Sequence, residues 1–343
     1  MGVGRGHYAR CWGRVEGEQV VLKLLSAALV ALVIGMVAGP RYIRWLSRRG
    51  IGQNIREHGP ESHSTKQGTP TMGGVLILVA AIIPYFIFAT KTVPSLVVVI
   101  LAVGCGMIGF ADDLISQWRQ RSLGLSGKVK LLLQVPLVGV AVWLALEYGG
   151  VDTRLSLPFV REGLDIGWMY YPFTFLLIAG FSHAVNLTDG LDGLAAGTGG
   201  IALFAYAGIA FLQGELDLGI LAVCMTGASV GFLWYNTHPA SVFMGDTGSL
   251  AIGAALAGMA ITTNMEILCL LVGLLFVIEA LSVTIQVLSF RIFHRRVFLM
   301  APIHHHFELK GWSETKIIVR FWIFSAIAGA AGFALYYLSN TRL

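Results

Sequence analysis

Asn186-Leu-Thr-Asp189-Gly-Leu-Asp192-Gly193 closes one long apolar run and opens the next. Two carboxylates and a carboxamide are thereby held at the edge of membrane-compatible segments, beside glycines that let a ligand approach the backbone. If the stretch is helical, Asp189 and Asp192 share a face at i, i+3; a capped turn is the alternative, for which Asn, Asp and Gly are ordinary. The apolar flanks decide the fold class. Of 343 residues, 56% are hydrophobic and 13% charged, against about 25% charged in a soluble domain. Stretches long enough to cross ~30 Å of hydrocarbon recur along the chain. Alternating strands of the barrel kind are absent, so the spans are helices with internally satisfied backbone.

The expectation is an all-α integral membrane protein with ten transmembrane helices, their cores at 20–40, 71–90, 93–111, 129–147, 168–186, 194–212, 217–235, 248–263, 266–290 and 317–338. Thr69-Pro70-Thr71 reads as the cap and first turn of the second. Residues 1–19 are Gly- and Arg-rich without apolar period and read as a disordered extension; residues 20–343 form a single ten-helix transmembrane domain. Cys105, Cys224 and Cys269 lie in apolar runs without paired or metal-type spacing, so neither a disulfide framework nor a zinc site is expected. The net charge of +5 reflects membrane-flanking loops and points to no nucleic-acid partner.

Lysine and arginine set the orientation. The connections after spans one, three and nine carry fifteen of the 24 basic residues, while those on the other side hold only Lys91, Arg154 and Arg161. Loops after odd-numbered spans are therefore cytoplasmic and both termini periplasmic. Five polar clusters obey the same parity: Lys66 to Thr71, Asp112-Asp113, Asn186 to Asp192, Asn236 to Asp246 and His304-His305-His306 follow spans one, three, five, seven and nine. All five face one side. The even-numbered connections Gln213 to Asp217 and Thr262 to Glu266 read as ordinary turns.

Each cluster suggests chemistry beside a plainer reading. Asp112-Asp113 ends the third expected span, where adjacent like charges meet the negative helix terminus, so a cation such as Mg²⁺ or a nearby lysine should compensate. Asp246 would cap the eighth helix or ligate Mg²⁺. Asn236 would bond a base or sugar, and Phe243 would stack on a planar ring. Three consecutive histidines cannot easily converge on one ion, so His304, His305 and His306 suit phosphate or sugar contacts. Lys66 and Lys128 are point charges for phosphate or ordinary positive-inside lysines. Glu279, inside the ninth span, is a candidate functional carboxylate or a packing partner. Several aspartates with basic neighbours, and no nucleophile constellation, suit Mg²⁺-dependent handling of a diphosphate.

Gly68-Thr-Pro-Thr-Met-Gly-Gly74, Ala111-Asp-Asp113, Asn186 to Gly193, Phe243-Met-Gly-Asp-Thr-Gly-Ser249 and Pro302-Ile-His-His-His-Phe-Glu308 together resemble the MraY family of phospho-N-acetylmuramoyl-pentapeptide transferases, within the polyprenyl-phosphate N-acetylhexosamine-1-phosphate transferases. The resemblance implies transfer of phospho-MurNAc-pentapeptide from UDP-MurNAc-pentapeptide to undecaprenyl phosphate with Mg²⁺, giving lipid I and UMP in the bacterial inner membrane. It implies a homodimer as well. Asp246 would be the metal ligand, and Asp112, Asp113, Asp246, His304, His305 and His306 the catalytic set. Asn186, Asp189, Gly190, Leu191, Asp192, Asn236 and Phe243 would form the nucleoside and amino-sugar pocket, with Lys66, Thr71 and Lys128 at its edge. The rivals are a related transferase taking UDP-GlcNAc and, from another class, an ion-coupled transporter using Asp112, Asp189 and Glu279 as a relay.

Overall fold

Each expected apolar run forms a helix in the computed structural model, which describes residues 14–52, 68–120, 124–160 and 163–341. The helices are α1 (Arg14–Arg48), α2 (Gly74–Phe88), α3 (Val93–Arg119), α4 (Gly127–Tyr148), α5 (Tyr170–Thr188), α6 (Leu194–Gln213), α7 (Leu216–Asn236), α8 (Gly245–Thr262), α9 (Glu266–Val272), α10 (Leu274–Phe293), α11 (Ile303–Leu309) and α12 (Glu314–Thr341). A two-residue antiparallel pair, β1 (Arg154–Leu155) with β2 (Leu164–Asp165), braces the connection between α4 and α5. Among the described residues, seven helices are long and apolar enough to cross a membrane: α1, α3, α4, α6, α7, α10 and α12.

The three other expected spans are helical for a different reason. α2 has 15 residues, and α5 and α8 carry more polar and small side chains. α8 is the axis of the bundle, with every residue from Thr247 to Thr262 buried and α2, α3, α5, α6 and α9 packed around it. A helix touching only protein has no lipid to satisfy, so it can be rich in Gly, Ala, Ser and Thr. Small residues then let backbones come close. A β-carbon on Gly74 would lie 2.0 Å from Gly248 N, and one on Gly109 would lie 2.2 Å from the carbonyl oxygen of Asp246. These contacts bring α2 and α3 onto the first turn of α8.

Four expected boundaries shift. α1 starts at Arg14, so part of the expected extension is helical, and residues 1–13 lie outside the described residues. α2 starts at Gly74 rather than near Thr71, because residues 70–74 instead pair with 243–244: Phe243 N donates to Pro70 O at 2.8 Å, and Gly73 N to Phe243 O at 2.8 Å. α3 continues to Arg119, so Asp112-Asp113 sits inside a helix and not at its negative end. The expected ninth span is broken at Gly273 into α9 and α10. The histidine run is itself helical, as α11, and not a loop. Cys105, Cys224 and Cys269 are buried and free.

Candidate active site at one end of the bundle

Asp113 projects from α3 at the height of the first turn of α8, where backbone N–H groups have no helical partner. Its Oδ1 accepts from Asp246 N at 3.1 Å, and its Oδ2 from Thr247 N at 3.0 Å and Thr247 Oγ1 at 2.6 Å. The carboxylate thus caps α8 from a neighbouring helix, with favourable dipole geometry. Gly245 has φ +73, and a β-carbon there would lie 2.7 Å from Asp113 Oδ2 and 3.1 Å from Thr71 Oγ1. Only glycine admits this approach.

The capped turn aims Asp246 at Asp112. One oxygen from each of Asp112, Asp113 and Asp246 lies within 4.8 Å of the others. Lys130 on α4 supplies a compensating cation: its Nζ pairs with Asp112 Oδ1 at 2.9 Å and also with Asp246 Oδ2. Leu125 N donates to Asp112 Oδ1 at 2.7 Å, and Asn186 Nδ2 donates to Asp246 Oδ1 at 2.7 Å and to Ser249 Oγ at 3.0 Å. Lys128, the lysine singled out by the sequence, is exposed. Two residues apart on a helix means about 200° apart in direction, so only one of the pair can face the aspartates.

A second group forms where α5, α6, α7 and α12 meet. Residues 189–193 turn between α5 and α6, so Asp189 and Asp192 share no helical face. Asp189 is the half-buried C-cap of α5, its N–H bonded to Val185 O at 3.1 Å. Asp192 Oδ2 lies 3.1 Å from His238 Nδ1 and accepts from Ala240 N at 3.1 Å. His238 Nδ1 is also 3.3 Å from Glu314 Oε2, and Glu314 Oε1 accepts from Asp192 N at 2.9 Å. Asn236, expected to read a base or sugar, instead spends its side chain on the backbone: Oδ1 accepts from Gly193 N at 3.0 Å and Nδ2 donates to Val242 O at 2.8 Å. Leu191 is buried with Leu194, Leu275, Ile317, Ile318 and Phe321.

The three histidines diverge. His304 is wholly buried, with Nδ1 3.1 Å from Glu279 Oε1. His305 Nδ1 meets Glu308 Oε2 at 2.5 Å, and Leu299 N donates to His306 Nδ1 at 3.1 Å. Slight burial and the Lys310 ammonium hold His306 below the usual imidazole range, which suits an accepting nitrogen. His305 and His306 are half-buried and remain the members open to a ligand. Phe243 is half-buried, its backbone pinned by the 70–73 segment. Lys66 lies outside the described residues.

Sequence reasoning passed over Lys130, Thr247, Ser249, His238 and Glu314. His238 lay inside a cluster already singled out, and Lys130 beside a lysine already weighed. Thr247 and Ser249 stood inside the quoted 243–249 motif without being weighed individually, and Glu314 carried no signal of its own.

A helical bundle in which Asp112 and half-buried Asp246, from two helices, share one lysine at the helix ends suits a transferase acting on charged groups. Sequence comparison agrees on that class: the family described as "Glycosyl transferase family 4" matches residues 95–264. "Phospho-N-acetylmuramoyl-pentapeptide-transferase signature 1" matches residues 66–78, the segment that holds Lys66 and Thr71 and clamps Phe243. Proteins named phospho-N-acetylmuramoyl-pentapeptide-transferase are similar over most of their length. The Rubrobacter xylanophilus protein is 46% identical, covering 92% of this chain and 98% of its own. That of Halalkalibacterium halodurans is 45% identical over 87% and 93%, and that of a Geobacillus strain 44% over 89% and 94%. The chain belongs to the phospho-N-acetylmuramoyl-pentapeptide-transferase family.

Proposed function

We propose that the protein transfers phospho-MurNAc-pentapeptide from UDP-MurNAc-pentapeptide to undecaprenyl phosphate, releasing UMP and forming lipid I for peptidoglycan synthesis. The observation that carries this is the convergence of Asp112, Asp113 and Asp246 with Lys130 and Asn186, in a chain whose relatives bear that name over most of their length. An attacking oxygen of the lipid phosphate displaces UMP from the β-phosphorus in one in-line step. Such a step needs positioning and charge neutralisation more than covalent help from the protein.

The donor set is all oxygen, which suits a hard divalent cation, Mg²⁺ in this reading. Asp246 would hold it, and when bound it would neutralise charge on the diphosphate. Asp113 has both oxygens engaged by α8, so it fixes Asp246 rather than reacting. That leaves Asp112 to accept the proton of the lipid phosphate, with Lys130 free to shift from carboxylate to phosphate. Phe243 stacks on the uracil, Lys66 and Thr71 flank the diphosphate with Lys130, and the 189–193 turn with His305 and His306 lines the sugar-peptide side.

Ten spans would lie in the bacterial inner membrane, with both termini outside and the site on the cytoplasmic face, a reading the lysine and arginine bias of the loops supports. The functional unit would be a homodimer, checked by the mass of the detergent-solubilised particle. The decisive assay measures UMP release with both substrates, with and without Mg²⁺; no release under any metal condition rejects the reaction. Offering UDP-GlcNAc in competition tests the donor, since preference for it would move the protein to the neighbouring transferase class. Trapping an aspartyl-phosphate on Asp112 or Asp113 without lipid would replace the one-step route by a two-step one.

A further inference from the structure

Glu279 and His304 form a pair to which no step above assigns a role. Glu279 lies on α10 and His304 on the first turn of α11, and both are 0% exposed. They meet through His304 Nδ1 and Glu279 Oε1 at 3.1 Å. Glu279 Oε2 and His304 Nε2 are buried without a hydrogen-bond partner among the described residues. A carboxylate this far from water is retained at a cost, and simple packing would be served by an apolar side chain. The free vertex of the imidazole has a definite target. A β-carbon on Gly190 would lie 2.3 Å from His304 Nε2 and 3.0 Å from Cε1. His304 therefore stands directly under the turn between α5 and α6, where it cannot touch substrate itself.

We infer that Glu279 is a positioning residue which, through His304, sets the height and shape of the 189–193 turn. A carboxylate only accepts, so it draws the Nδ1 proton toward α10 and fixes the ring with Nε2 facing Gly190. The ring cannot retreat without breaking the Glu279 contact, and the turn cannot sink because Gly190 rests on Nε2. From the other side the turn is held by Asp192 N on Glu314 Oε1 and Gly193 N on Asn236 Oδ1. The turn is thus gripped between α7 and α12 above and the imidazole below. On the reading of the preceding section, on which this inference rests, that grip presents Asp189 to the sugar-peptide part of the donor. Gly190 is required because any side chain there would strike the ring.

The test uses the full-length protein in detergent and two readouts, amide hydrogen exchange and UMP release. Glu279→Gln keeps the volume and removes the carboxylate. It should accelerate exchange of the peptide covering 188–193 about tenfold while α8 exchanges as before. It should also lower kcat/KM for the nucleotide donor roughly 10- to 100-fold, mainly through KM, with the KM of the lipid acceptor unchanged. Gly190→Ala should do the same from the opposite side. Combined, the two should cost far less than the product of the singles, since both act through one ring. Unchanged exchange in the turn, exchange that rises equally in α8, or multiplicative losses would each overturn the inference. If the wild type releases no UMP but the turn still responds to Glu279→Gln, the reaction proposal fails and the positioning role stands.

Discussion

The two ends of the bundle treat their carboxylates differently. Asp112 and Asp246 share the ammonium of Lys130 with each other. About 30 Å away along α3 and α8, Asp217 and Glu266 stand in the connections that read as ordinary turns. Asp217 accepts from Thr90 N at 2.9 Å, Thr90 Oγ1 at 2.8 Å and Thr92 N at 2.9 Å, tying α7 to the start of α3. Glu266 is fully buried and accepts from Tyr170 OH at 2.6 Å. At that end each acid is held by its own neutral donors, Glu266 with one oxygen left over, and neither shares a cation with the other. At the other, acids from separate helices divide one lysine ammonium between them. The balance is one that an incoming phosphate and divalent ion can redraw.

If that contrast is sound, substitutions at the first end should destroy turnover and spare stability. Asp246→Ala should show the largest effect, a loss of kcat on the order of a thousandfold with most of the Mg²⁺ dependence removed. Turnover retained in a UMP-release assay would reduce Asp246 to a helix cap. Lys130→Met should cost roughly a hundredfold, and Lys128→Met should stay within about twofold if the contact belongs to one lysine only. Equal losses in the two would erase the distinction the fold draws between them. Phe243→Ala should raise the donor KM about tenfold, the lower range of a base–aromatic stack, with less change in kcat because stacking acts in ground and transition states alike. An unaltered KM would take Phe243 out of the nucleoside pocket.

Much of this was legible from hydropathy and parity alone. Helix positions followed the apolar runs, and clusters after odd-numbered spans do meet: residues 70–74, 112–113, 186 and 243–249 touch one another, and His304 touches Gly190. What stayed hidden depended on packing. Nothing in Gly127-Lys-Val-Lys130 says which lysine faces inward, because that is set by the rotation of α4 against α3. The extension of α3 past Asp113 was masked by polar residues, which normally mark a helix leaving the membrane; here they mark it meeting the first turn of α8. Asn236 looked like a ligand-reading amide, yet the turn it faces leaves Gly193 N and Val242 O needing partners. A buried amide satisfies both. Gly273 resembled any glycine in an apolar run until the split between α9 and α10 gave it a purpose.

The far end supplies the converse test, with the smallest expected effect on catalysis. Asp217→Ala removes a carboxylate that takes three hydrogen bonds from the Thr90–Thr92 segment, at a cost of about 2–3 kcal/mol where charged acceptors are involved. For a protein of this size that lowers Tm by roughly 5 °C. The site should not notice, since the lost contacts sit a whole helix length from Asp112 and the packing of α3 on α8 persists along the rigid stretch between. Thermal unfolding in detergent, paired with UMP release at a temperature well below the transition, separates the two quantities. A fall in kcat matching that of Lys130→Met, with Tm held, would mean that Asp217 takes part in turnover and that the two ends are coupled.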